Sequence, residues 1–181
     1  MSADQSVIHR IIDQLDLQPH PEGGFYRQTY RCDERITRSL PTGVVTERSA
    51  STGIYYMLSG DAYSAWHRID SDEMWHFYAG DPLSIHMLDQ QGEWITHRLG
   101  NMLEQPDAVF QAVVPAGCWF AAERHGTEGF SLVGCTVAPG FEFETFELAN
   151  VGDLLRRYPA HESVILRLAP GRDAGTTISE R

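Results

Sequence analysis

The chain opens with apolar positions at helical spacing. Val7, Ile8, Ile11, Ile12 and Leu15 fall on one stripe, which predicts an amphipathic helix over residues 4–15. It stops before Pro19-His20-Pro21, and Glu22-Gly23-Gly24 reads as a turn. Phe25 to Arg31 reads as a strand, by aromatic and Thr content more than by alternation. Asp33 to Ser51 is polar and holds Pro41 and Gly43, so it predicts a long loop or an irregular edge. From Gly53 the pattern changes to short strand-like pieces: Ile54–Leu58, Tyr63–His67, Met74–Tyr78, Leu83–Leu88, Glu93–Leu99, Val109–Val114, Trp119–Ala122, Phe130–Val137 and Phe141–Leu148. Turn signals separate them, among them Ser59-Gly60-Asp61, Ala79-Gly80-Asp81-Pro82, Gln91-Gly92, Pro115-Ala116-Gly117 and Pro139-Gly140. Many short strands at roughly 8–12-residue spacing predict a β-sandwich or barrel, not a parallel sheet with crossover helices. After Gly152 the text turns helical again, with a break at Pro159 and a second stretch from Glu162 to Leu168. No internal repeat of fixed period is present. One β-barrel domain over residues 1–170, with a helix at each end and a loose tail over 171–181, is the expected organisation.

Composition narrows the function classes. A chain of 181 residues can bury a core without metals or disulfides as staples. Its net charge of −11 repels phosphate backbones, and no basic cluster overrides it, so nucleic-acid binding is not expected. Apolar runs are too short to span a bilayer. The start Met1-Ser-Ala-Asp-Gln lacks the basic and apolar segments of a signal peptide, so a cytoplasmic protein with no membrane partner is expected. Cys32, Cys118 and Cys135 are odd in number and lack CxxC spacing, which predicts buried free thiols in place of a disulfide framework or zinc knuckle.

The chemistry concentrates between Gly60 and Gly80, where His67 is followed by Glu73 and Gly80, with a Pro115-Ala-Gly117 turn later. That skeleton resembles the cupin pattern, and cupins are double-sheet jelly rolls, in agreement with the strand count. The resemblance widens over His20-Pro-Glu-Gly-Gly-Phe-Tyr-Arg27-Gln-Thr-Tyr30, Trp66-His67-Arg68, Ser71-Asp-Glu-Met-Trp-His-Phe-Tyr-Ala-Gly-Asp-Pro82 and Val133-Gly-Cys-Thr-Val-Ala-Pro-Gly-Phe-Glu-Phe143. Together these blocks resemble the cupin group called DUF985, or cupin type 5, over about residues 8–168. The resemblance implies an all-β double-stranded β-helix, a jelly-roll barrel with short N- and C-terminal helices, usually paired as a homodimer.

Metal-binding cupins present a His-x-His pair, a Glu and a later His. The resemblance puts those positions at His67, Ile69, Glu73 and Phe120. Only two of the four are ligand types, and a first-row metal needs at least three well-placed donors. No metal and no cofactor are therefore expected, and a metal-dependent cupin enzyme is the less favoured reading. His76 does not repair the set, because alternation from an inward Glu73 turns Trp75 and Phe77 inward and His76 outward.

Two readings of His67 and Glu73 stay open. In the structural one, Glu73 pairs with His67 or with an arginine such as Arg27 and seals the barrel. In the functional one, His67 and Glu73 are an acid–base pair in an aromatic pocket lined by Tyr63, Trp75, Phe77 and Phe120, with burial moving both toward neutrality. Metal-free cupins that epimerise nucleotide-linked keto-sugars offer a fold-level analogy. The expected ligand is a small polar metabolite, sugar- or carboxylate-like. Arg27 is a candidate clamp for a carboxylate or phosphate, against an interstrand salt bridge. Gln111 is a candidate cavity contact, against an edge hydrogen bond. One of Tyr55 and Tyr56 faces in. Cys118 lacks a nearby His, and Ser64 lacks a nucleophile-elbow context. His9, His86, His97 and His161 read as surface or edge residues, and His125 as an exposed loop residue. The run Phe141, Phe143, Phe146, Leu148 predicts core or dimer-interface packing. An isomerase, epimerase or lyase and a non-catalytic binding or sensor module both suit this reading.

Overall fold

The computed structural model describes residues 3–39, 45–89, 91–126 and 128–171. The predicted tail beyond Gly171 lies outside the described residues. Helix α1 (Ala3–Leu15) places its apolar stripe of Ile8, Ile11, Ile12 and Leu15 on Leu17, Phe25 and Met57. It ends where Asp16 adopts a positive φ and Leu17 donates its amide to Ile12 O at 2.9 Å.

Two antiparallel sheets form the barrel. One runs β1 (Gln18–Pro19), β2 (Phe25–Arg31), β5 (Thr52–Ser59), β12 (Phe130–Ala138), β7 (Asp72–Gly80) and β10 (Gln111–Val114). The other runs β13 (Glu147–Leu148), β6 (Tyr63–Arg68), β11 (Trp119–Arg124), β8 (Leu83–Leu88) and β9 (Trp94–Leu99). Trp75, Leu83, Ile85, Val114, Phe120 and Val133 fill the space between them. The outer face of the five-stranded sheet is covered by α2 (Val151–Arg157) and α3 (Glu162–Arg167), whose Leu154 and Ile165 pack with Trp66, Leu88 and Trp119. Asn150 caps α2 by accepting the Asp153 amide. No described helix is long and apolar enough to cross a membrane.

Two expectations need correction. The polar stretch Asp33–Ser51 contains a hairpin, β3 (Arg35–Ser39) with β4 (Val45–Ser49), beside residues 40–44, which lie outside the described residues. A two-stranded ribbon buries little, so its sequence carries no apolar alternation. Its anchor is a buried Arg48, bidentate to Asp70 at 2.8 and 2.9 Å. The predicted strand Phe141–Leu148 is a 3-10 turn over Phe143–Thr145 followed only by β13. Backbone–backbone pairing is confined to its end, where Glu147 and Leu148 meet β6.

Candidate functional site

The site starts from the turn between β1 and β2. His20 and Gly24 close it through His20 N to Gly24 O at 3.0 Å. At Gly24, with φ +70°, a Cβ would meet Met57 O at 2.6 Å, so only glycine fits between turn and sheet. Ala65 N donates to Glu22 O at 2.8 Å, and Tyr56 Oη donates to Gly23 O at 2.8 Å. These bonds aim the buried Glu22 carboxylate into the barrel.

A bulge in β6 supplies its partners. Phe120 pairs with His67 and Ala122 with Ser64, so β6 advances one residue more than β11. Ser64 and His67 therefore both face Glu22. Ser64 Oγ donates to Glu22 Oε1 at 2.9 Å, and His67 Nε2 lies 3.0 Å from Glu22 Oε2. The other ring nitrogen, Nδ1, meets Ala65 O at 2.7 Å. A carbonyl only accepts, so Nδ1 carries a hydrogen, and the Nε2–carboxylate contact needs a second proton between its two atoms. His20 Nδ1 stands 3.6 Å from the same carboxylate. Burial lowers the His20 pKa, opposed by the Glu22 charge and reinforced by His67.

Glu73, on β7, is 8% exposed and faces the same interior. No cation pairs with it among the described residues; its side-chain hydrogen bond is to the Cys135 thiol. Burial first, and the Glu22 charge second, push its pKa up to about 8. The Cys135 thiol is likewise pushed well above its ordinary value by burial, then by Glu73.

These groups line a cavity of about 340 Å³, within the usual size for small-molecule sites. Tyr26 and Tyr56 meet the His20 ring edge-on at 4.6 and 6.0 Å, while Phe143 stacks on it at 6.1 Å. Phe141, Phe143 and Phe146, expected in core or dimer-interface packing, form one wall of this cavity. Arg31 also lines it. Between the pairs Gln28–Ile54 and Tyr30–Gly53, β2 carries one extra residue, and the next pair is Arg31–Thr52. That bulge returns Arg31 to the inner face with Gln28, and turns Tyr30 out.

Of the predicted site residues, His67 and Glu73 line the cavity, but the carboxylate against His67 is Glu22. Trp75 and Phe77 face the barrel core around the cavity without lining it. Phe120 does the same, its ring 4.0 Å from His67. Tyr63 was expected to line the cavity; the β6 bulge leaves it facing out, where its hydroxyl bonds Ala169 O at 2.8 Å. Arg27 lies on the outside and donates to Leu15 O at 3.1 Å. Gln111 takes the edge role, 3.0 Å from His76 Nδ1. Tyr56 faces in and Tyr55 out toward α1. His86, expected at the surface, is buried against Glu123 at 2.9 Å.

Glu22 and Arg31 were missed. Glu22 stands in the His20-Pro-Glu-Gly-Gly block that carries the resemblance, which was its available signal. Arg31 had none, because a strict two-residue period from Tyr26 places it outside. The cupin metal positions hold hydrocarbon at Ile69 and Phe120, both buried. Among the described residues no three His, Cys, Asp or Glu side chains are arranged to hold a metal ion. Of the four cupin metal positions only His67 and Glu73 carry donor atoms, short of the three a first-row metal needs.

Residues 9–149 match the family described as Cupin superfamily (DUF985). A hypothetical protein from Leishmania major superposes with a TM-score of 0.79 and 34% identity, over 89% of this chain and 97% of that one. A structure from Shewanella oneidensis gives 0.77 and 39%, over 93% and 98%. An uncharacterised protein of Saccharomyces cerevisiae is 26% identical over 166 residues, 86% of this chain and 82% of its own length.

Proposed function

The chain belongs to the DUF985 group of the cupin superfamily, and from that premise we propose that its barrel binds a small polar metabolite and shifts protons on it without a metal. The observation that carries this reading is Glu73, a carboxyl nine-tenths buried on a cavity wall with no cation against it among the described residues. A structural glutamate would be paired, as Glu123 is with His86. With its pKa near 8, Glu73 is largely a neutral acid at pH 7 and can donate to a ligand oxygen.

The proton count allows a closed cycle. Glu73 gives its proton to a ligand carbonyl oxygen while the Glu22 carboxylate, beside His67, takes one from the adjacent carbon. Glu22 then gives its proton to the former carbonyl carbon while Glu73 takes one back from the hydroxyl on the adjacent carbon, which restores both groups, so an isomerisation of a hydroxy-carbonyl compound consumes nothing. His67 holds the Glu22 carboxylate in place for that transfer. Ser64 and the Ala65 carbonyl fix the pair in position. A second copy is proposed to pair on the outer face of the six-stranded sheet, where Met74, Tyr78 and Val113 are exposed.

Mass spectrometry of small molecules released on denaturation tests the binding reading. A polar compound retained by the native chain and lost in His67→Ala is expected; a chain that retains nothing and binds no member of a polar-metabolite panel overturns it. With a ligand in hand, Glu73→Gln separates the two functions. Turnover falling by about a hundredfold or more, with binding kept, identifies an enzyme. Binding with no turnover in the unaltered chain identifies a binding module.

A further inference from the structure

The cavity is chemically lopsided. Its depth holds Glu22 and Glu73, and the only arginine or lysine on its described lining is Arg31. The guanidinium reaches from β2 to the segment that carries the phenylalanine wall. It donates to Glu142 Oε1 at 2.7 Å, to Phe141 O at 3.1 Å and to Gln28 Oε1 at 3.2 Å. The buried arginines, Arg48 and Arg124, are committed elsewhere: Arg48 to Asp70, and Arg124 to Asp81 and three loop carbonyls.

We infer that Arg31 is the anion subsite of this cavity and that Glu142 occupies it in place of a ligand carboxylate. The inference rests on the binding reading above and narrows its ligand to compounds with a carboxylate at one end and oxygen functions at the other. Three observations carry it. One arm of the Arg31 guanidinium, Nη1, already holds a carboxylate, that of Glu142, while Nη2 donates to Gln28 and the Phe141 carbonyl. Both partners are about a third exposed, and solvent screens such pairs, so exchange of Glu142 for a ligand carboxylate costs little. Finally, a second anion is repelled from the depth by Glu22, which leaves the Arg31 end as the place for it. That fixes orientation: carboxylate toward Arg31, oxygen functions toward Glu73 and His67.

Release of Glu142 also loosens its neighbours. The 3-10 turn Phe143–Thr145 has no buried residue and no side-chain cap, so the Arg31 bonds to Glu142 and Phe141 O are main ties of this wall. Phe141 N on Thr52 Oγ1 is another. Exchange at Arg31 thus couples anion binding to the position of Phe141, Phe143 and Phe146.

Calorimetric titration with short 2-hydroxy and 2-oxo carboxylic acids, each against its primary amide, tests this. The acids are expected to bind at least about tenfold tighter than the amides. Arg31→Gln removes that preference, Arg27→Gln leaves it intact, and Glu142→Gln tightens the acids about two- to fivefold by removing the competitor. Thermal melts identify any variant that fails to fold, and the Arg31 Nε–H resonance of the unaltered chain, which moves on acid but not amide addition, is an independent readout. Acids and amides binding equally, with sensitivity to His67→Ala, overturns the anion subsite and leaves the cavity reading standing. Titrants that do not bind at all overturn the anion subsite, and titrants that bind regardless of His67→Ala overturn both readings.

Discussion

Two glutamates on different walls of the barrel carry opposite electrostatics. Glu73, on the inner face of the six-stranded sheet, has its pKa raised to about 8 by burial and then by the Glu22 charge. Glu123, on the outer face of the five-stranded sheet, is also raised by burial, yet ends near 2. The difference is company. His86 and Arg167 both reach Glu123, at 2.9 and 2.6 Å, and their hydrogen bonds and charges overcome desolvation. Inside the cavity, His67 is engaged by Glu22, and among the described residues no cation pairs with Glu73. Burial sets the size of the penalty on a charge; the partner decides the sign of the shift. The outer cluster straps α3 to the barrel, while the inner one leaves an acid free for a ligand.

The largest effect is expected where a buried pair is broken. His67→Ala leaves the Glu22 carboxylate without its imidazole, at a cost of about 3–5 kcal/mol at pH 7, read from urea denaturation. The double variant His67→Ala/Glu22→Ala removes both partners and is expected to recover part of that loss. If the two single losses simply add, the pair does not hold the site together and the contrast with Glu73 collapses.

How far the sequence reached follows the same geometry. The barrel, the terminal helices and most strands were legible, because apolar alternation and turn residues mark them directly; β2 and β8 match their predicted limits. The hairpin β3–β4 was not, since a ribbon with one buried arginine leaves no apolar pattern. At the site, His67 and Glu73 were legible from their spacing. Errors gathered at two bulges. One in β6 sends Tyr63 out and Ser64 in; one in β2 sends Arg31 in while Arg27 stays out. A single extra residue inverts every later position on a strand, and no residue type at either bulge announces it. Glu22 was hidden for a different reason: its carboxylate reaches His67 across 45 residues of chain, a contact no local pattern encodes.

The next effect is a pH-dependent gain. The folded pKa of Glu73 is raised, so the carboxyl is neutral in both states below about pH 4.5, and stability falls as pH rises from there through about 8. Glu73→Gln removes that fall. Melting temperatures of the two chains are expected to coincide near pH 4 and to separate above it, with the variant more stable by a few kcal/mol, roughly, at pH 9. Parallel profiles at all pH values would mean that a cation reaches Glu73 after all.

The smallest effect belongs to the outer cluster and has the opposite sign. Glu123 is lowered from 4.5 to about 2, so its contribution is present above about pH 4.5 and is lost as pH falls toward 2. Arg167 is half exposed, and solvent screens its share. Arg167→Ala is therefore expected to cost only about 0.5–1 kcal/mol at neutral pH, because His86 still holds the carboxylate. Its melting profile should weaken at higher pH on the acid side and keep its alkaline limb, whereas Glu73→Gln alters the alkaline limb and keeps the acid one. The two limbs thus report the two walls separately. A change in the alkaline limb of Arg167→Ala would mean that the clusters communicate through β6 and β11, and that Glu73 takes its high pKa from the whole barrel and not from the lack of a partner beside it.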